Sequence, residues 1–317
     1  MLMMAKMSGM LSGGQAAGLS VSDVFATTLA SGIFSDTKIT TGIDMLTHGG
    51  LVWAKERNNN TRGHFLVDTL RGGTKRLDTS SASAEASSSP GYINSFEADG
   101  FWAESDSSII SGGTNHVVWS FRRAPKFFDV QAVAHVTGTP TVVDFSALGT
   151  IGMAALKQTD GTGNWTVKHI YDLTRGLALN TTDVAFSEGN YTMDATTFTI
   201  RSGIASGNYS IMAWAHDPNP SGVVQCGSFT TNGSGLASVN LGWQPQFALH
   251  KRSDAVDDWI IADSARGTNT STTNALFPNL SAAENTSEPI RLGFTSSGFD
   301  VNGSNSATSI YLAIRAP

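Results

Sequence analysis

Seven histidines, at His48, His64, His116, His135, His169, His216 and His250, are the residues most suited to acid–base or metal chemistry. None stands four residues from another and no HExxH run occurs, so a helix-borne metal pair is not encoded. Cys226 is the single cysteine, which excludes an intrachain disulfide and a cysteine-based zinc site. No G-x-S-x-G elbow, Walker loop or dinucleotide fingerprint is present. Asp160-Gly-Thr-Gly-Asn164 has calcium-loop oxygens but lacks the closing bidentate acid, and reads as a hairpin turn. The acid pairs Asp257/Asp258 and Glu97/Asp99 read as solvated loop residues, because glycoside hydrolysis needs two carboxylates held about 5–9 Å apart across a cleft. The N-x-[ST] triplets at Asn164, Asn180, Asn190, Asn208 and Asn232 read as turn composition. The expectation is no catalytic residue, no metal and no cofactor.

One charged pattern does recur. Asp68-Thr-Leu-Arg71-Gly72, Asp172-Leu-Thr-Arg175-Gly176 and Asp263-Ser-Ala-Arg266-Gly267 repeat Asp-x-x-Arg-Gly at spacings of 104 and 91 residues. Each follows an apolar run, where a strand should end. An aspartate there accepts backbone N–H groups of the next residues, the glycine takes a positive φ, and the arginine pins the turn. A shape-keeping role is the reading for all nine residues, ahead of ligand binding.

Other landmarks recur around this motif in fixed order. Upstream is an apolar run ending in lysine: Leu51–Lys55, Met153–Lys157 and Phe247–Lys251. Downstream come Asp99-Gly-Phe101, Thr196-Thr-Phe198 and Ser297-Gly-Phe299, then a closing strand running to Pro125, Pro218 or Pro317. Val24–Leu29, Phe128–Val133 and Val223–Phe229 open the units as strands. Runs of four to seven residues rich in Val, Ile, Phe, Trp and Thr, with Gly/Asn/Asp/Ser between them, predict strands and tight turns. The fold expected is all-β: three tandem β-sandwich (jelly-roll or lectin-like) modules over 22–125, 126–219 and 220–317, after a short N-terminal docking arm over 1–21. In the closing strands Trp119, Trp214 and Tyr311 stand six, four and six residues before the proline, a parity that predicts one shared inward face.

Composition agrees. The 317 residues carry a net charge of −6 with only 15% charged side chains, which argues against a nucleic-acid partner. At 40% apolar there is enough to build cores, yet no run reaches the ~18 residues of a membrane helix. Five methionines in Met1–Ser20, interrupted by Ser8, Gly9, Ser12, Gly13 and Gly14, fit an adaptable docking segment better than a secretory leader.

Val24–Leu29, Thr40–Asp44, Gly49–Lys55, Leu66–Gly72, Phe96–Phe101 and Val118–Val130 together resemble a family of tailed-bacteriophage virion proteins common in marine phages. The resemblance is strongest over 22–130 and continues to 317, although Ala154–Lys157 lacks the tryptophan and Ile314-Arg315 the aromatic pattern of the first copy. It implies a non-enzymatic virion structural protein, a tail or head-fibre component with lectin-like sandwiches. Other virion proteins, and a homo-oligomer such as a trimer, are the partners implied. A receptor-binding lectin for host-surface glycans is the alternative, with Trp102, Trp165 and Trp259 as stacking platforms. A glycan-degrading tailspike ranks third.

Overall fold

The computed structural model describes residues 19–31, 36–104, 114–268, 274–286 and 291–317. The docking arm expected over 1–21 therefore lies almost wholly outside the described residues. Every strand pairing among them is antiparallel, and none of their helices is long and apolar enough to cross a membrane.

The strands fall into three successive sets. The first comprises β1 (Phe25–Ser31), β2 (Thr37–Thr40), β3 (Gly50–Glu56), β4 (Phe65–Asp68), β5 (Lys75–Asp78), β6 (Ala86–Ser87), β7 (Ile93–Glu97), β8 (Gly100–Ala103) and β9 (Asn115–Arg122). They form a six-stranded sheet, β1-β9-β3-β4-β5-β6, and a three-stranded sheet, β2-β8-β7. A second set comprises β10 (Phe128–His135), β11 (Thr141–Asp144), β12 (Ile151–Gln158), β13 (Thr166–His169), β14 (Asp172–Leu177), β15 (Phe186–Ser187), β16 (Tyr191–Met193), β17 (Thr197–Ile200) and β18 (Gly207–Ala215). These build β10-β18-β12-β13-β14-β15 and β11-β17-β16, the same two orders. The last comprises β19 (Val224–Thr230), β20 (Leu236–Asn240), β21 (Pro245–Arg252), β22 (Trp259–Asp263), β23 (Arg291–Thr295), β24 (Gly298–Asn302) and β25 (Thr308–Arg315). They give β19-β25-β21-β22 and β20-β24-β23, with single bridges at Ile261–Leu276 and Ala275–Asn285 where the first two sets have further strands.

Each large sheet packs on its own small sheet through one face, as Val52, Ala54, Val67 and Val118 do against Ile39, Phe101 and Ala103. The other face turns to the neighbouring large sheets. Leu51, Trp53, Trp119 and Phe121 share one continuous core with Met153, Met212 and Trp214, and with Phe247, Leu249 and Leu312. Phe247 lies 5.4 Å from Phe25, 6.0 Å from Trp119 and 6.1 Å from Phe121, and Phe121 lies 5.8 Å from Trp214. Burial on both faces is why β3, β12 and β21 read as unbroken apolar runs instead of alternating ones.

The parity expected for the closing strands holds only in part. Trp119 and Trp214 do enter the shared core, but Tyr311 turns the opposite way, against Phe229 and Phe299 of its own sandwich. β9 and β18 end three residues before their proline and β25 ends two before, so counting back from the proline slips by one residue and inverts the face.

Phe121 touches rings from all three sets, so Phe121→Ala should cost about 3–5 kcal/mol. Differential scanning calorimetry should show one transition at lower temperature; separate transitions for separate units would contradict a shared core.

Candidate functional site

The three Asp–Arg elements do not converge on one centre; each lies at a different junction between sets. At the end of β22, Asp263 Oδ1 accepts the Arg266 backbone N–H at 3.0 Å while Oδ2 accepts Arg266 Nε at 2.6 Å. Asp68 at the end of β4 repeats this with Leu70 N, Arg71 N and Arg71 Nε at 3.0, 2.9 and 2.6 Å. Gly72 and Gly267 then adopt φ of 84° and 90°, the left-handed region that glycine enters without strain.

The second copy departs from this register. Asp68 pairs across the ladder with Leu51 and Asp263 with Phe247, but the residue facing Met153 is His169, not Asp172. Asp172 and Arg175 still pair, with Arg175 Nε donating to Asp172 Oδ2, but they open strand β14 and are partly solvated. Gly176 lies within that strand without a positive φ. A hairpin turn at Ile170-Tyr171 displaces the motif by three residues, so the match in sequence is not a match in space.

Around these elements the sets are tied to one another in a cycle. The backbone N–H of Glu85 donates to Thr159 O (2.8 Å), that of Ala185 to Ser253 O (3.1 Å) and that of Glu284 to Arg57 O (2.7 Å). Arg57, Thr159 and Ser253 each stand two residues after the landmark lysine, so these are one contact made three times, first set to second, second to third, third to first. Lys55, Lys157 and Lys251 are fully buried and face carbonyls. Lys55 Nζ donates to Glu56 O at 2.7 Å and Ser281 O at 3.2 Å; Lys251 Nζ donates to Arg252 O at 2.6 Å and Thr182 O at 3.4 Å. Lys157 Nζ reaches Gln158 O at 2.8 Å. Burial pushes all three ammonium groups down to about 8.

The junction of the third set with the first closes the cycle without a covalent link and carries the densest network. Glu284 accepts Arg266 at 3.0 Å and Arg57 at 2.7 Å. Asp263 Oδ2 also accepts Trp119 Nε1 at 3.0 Å, and the Arg266 guanidinium lies 5.5 Å from the Trp119 ring. Thr79 Oγ1 donates to Pro278 O at 2.7 Å, and Ser281 Oγ to Asn60 O at 2.9 Å. Arg71 finds Glu85 at 2.8 Å in the first set, while the third partner in the second set is Ala185 and carries no charge.

Sequence reasoning missed Glu85, Glu284 and Arg57. Glu85 follows Arg71 by 14 residues and Glu284 follows Arg266 by 18, so no fixed offset flags them. Trp165 and Trp259, expected as sugar platforms, are 0% and 1% exposed. Their indole N–H groups donate across junctions, to Asp78 O at 3.0 Å and Ala178 O at 2.8 Å, which corrects that expectation. Position matching places His64 where they stand, stacked on Trp119 and accepting Trp53 Nε1 at 3.1 Å through Nδ1. Trp102 is exposed, as expected. Among the described residues no group of three or more His, Cys, Asp or Glu could hold a metal ion. A groove of ≈ 640 Å³ over Leu236, Ser238 and Asp300 touches none of the junction bonds.

Fold and junctions together define an all-β protein in which Lys55, Lys251, Asp263 and Glu284 bond residues of a neighbouring set. The chain belongs to the family described as a domain of unknown function (DUF7483), which matches residues 20–314 and so spans all three sets. No curated protein matches it. Among solved structures, the crystal structure of the STIV MCP is similar at 11% identity over 59% of this chain and 95% of that one. Its TM-score is 0.18, too low to carry an argument.

Glu284→Gln should destabilise by about 1.5–3 kcal/mol in urea, more than Glu85→Gln, because two arginines lose a charged acceptor. Equal, negligible effects would remove the network's role. His169 and His250 are buried and held down to about 4 by desolvation. Between pH 6.5 and 4 the unfolded chain therefore binds more protons than the folded one, and stability must fall as pH falls through that window. A urea midpoint that stays flat from pH 6.5 to 4 would contradict this.

Proposed function

We propose that this chain is a non-enzymatic structural protein of a bacteriophage particle, a tail or head-fibre component located in the virion. The observation that carries the reading is where its recurring charges go. Lys55 and Lys251 donate to carbonyls of a neighbouring set, and across the third seam Glu284 accepts Arg57 and Asp263 accepts Trp119. The Asp68–Arg71–Glu85 and Asp263–Arg266–Glu284 chains brace the segments whose Glu85 and Glu284 amides bond the next set. Such a closed cycle of sandwiches resists shear and local opening, which is what a load-carrying particle component needs. The resemblance of residues 22–130 to phage virion proteins points the same way.

In this reading the units at 22–125, 126–219 and 220–317 are tandem copies of one sandwich, and the methionine-rich residues before them anchor the chain to a neighbouring virion protein. Copies of the chain assemble further, with a trimer as the form expected of a fibre.

Mass spectrometry of gradient-purified particles should find the chain at a fixed ratio to the other particle proteins. A variant lacking residues 1–18 should stay folded by circular dichroism yet enter particles several-fold less. Absence from purified particles, or full incorporation of the shortened chain, would refute the respective parts of the proposal.

A further inference from the structure

All seven tryptophans lie among the described residues, and six of them are buried; only Trp102, 40% exposed, faces solvent. It stands on β8, the central strand of the small sheet β2-β8-β7. Phe101 and Ala103 on either side turn into the sandwich, so Trp102 turns out. Its ladder partners are Lys38 on β2 and Ser95 on β7. Lys38 Nζ lies 2.6 Å from Asp99 Oδ1, and Ser95 Oγ donates to Glu97 Oε1 at 2.6 Å.

The fold does not require an indole there. Phe198 and Phe299 repeat Phe101 on the inward side of the other two small sheets, whereas the positions equivalent to Trp102 are Thr199 and Asp300. The interior residue is kept and the outward one is free to differ. A flat apolar ring bordered by an ammonium, a hydroxyl and carboxylates is complementary to a pyranose. Its C–H face covers the indole and its hydroxyls meet the flanking donors and acceptors. Two carboxylates against one ammonium favour an uncharged sugar over an acidic one.

We infer that Trp102, flanked by Lys38, Ser95, Glu97 and Asp99, forms a subsite for a neutral pyranose. The site is open and shallow, so a single sugar binds weakly, in the millimolar range, and useful avidity comes from many copies displayed together. The inference does not depend on where in a particle the chain sits, and extends the assembly role to contact with a glycan surface.

Because Trp102 is the one exposed indole, acrylamide quenching of tryptophan emission reports on it selectively. Methyl β-D-glucopyranoside or methyl β-D-galactopyranoside should protect the quenchable fraction of the full chain at millimolar concentration, and N-acetylneuraminic acid should not. By saturation-transfer NMR, Trp102→Ala should weaken the glycoside signal about tenfold and Trp102→Phe less, with unchanged circular dichroism. Three results would overturn the inference: no protection by either glycoside, undiminished binding to Trp102→Ala, or a change of sedimentation in Trp102→Ala with no change in sugar binding. The last would assign the indole to contact between copies. None of these results bears on particle incorporation, so the two proposals stand or fall separately.

Discussion

The structure depends on the inward faces of three large sheets sharing one aromatic core. Phe25, Trp119, Phe121, Trp214 and Phe247 come from every part of the chain and interlock edge to face. A single sandwich with its large sheet apolar on both sides would leave one face in water, which costs about 25 cal/mol per Å². Three such faces cover one another. The unit is therefore not a self-sufficient brick in this chain, and the polar junctions follow from the geometry that the core imposes.

Once the sheets are drawn together, buried backbone groups at the seams need partners. The repeated solution is an amide on one set donating to the carbonyl two residues beyond the lysine of the next, with the lysine capping neighbouring carbonyls. Two of the three seams have a covalent linker to hold them. The third does not, and there Arg57, Glu284, Arg266, Asp263 and Trp119 form a connected chain of charged hydrogen bonds. Buried ion pairs contribute little when compared with apolar packing, but losing one partner is costly, so such a network enforces a particular register.

Much of this was legible in the residues and some was not. The unbroken apolar runs around Trp53, Ala155 and Leu249, and the order of landmarks after them, reveal the sheets and their recurrence, because buried strands must be apolar at every position. Asp68 and Asp263 were readable as turn residues, since the turn's hydrogen bonds are local. The displacement of Asp172 was not, because a short hairpin moves a motif in space without altering its spelling. Trp165 and Trp259 look like Trp102 in sequence; only the facing carbonyls of Asp78 and Ala178, about 80 to 90 residues away, decide that they are buried. Contacts between sets are long-range by nature, and beyond the unbroken apolar runs the local pattern carries no trace of them.

Native-state hydrogen exchange of the Glu85, Ala185 and Glu284 amides tests most directly whether the chain is one closed cycle. These three amides join the sets, one at each seam. All three should exchange only through global unfolding, with protection equal to that of core amides in β3, β12 and β21. An amide at any seam that exchanges far faster than the core, with a smaller dependence on denaturant, would show that the cycle opens there and that the sets stand independently.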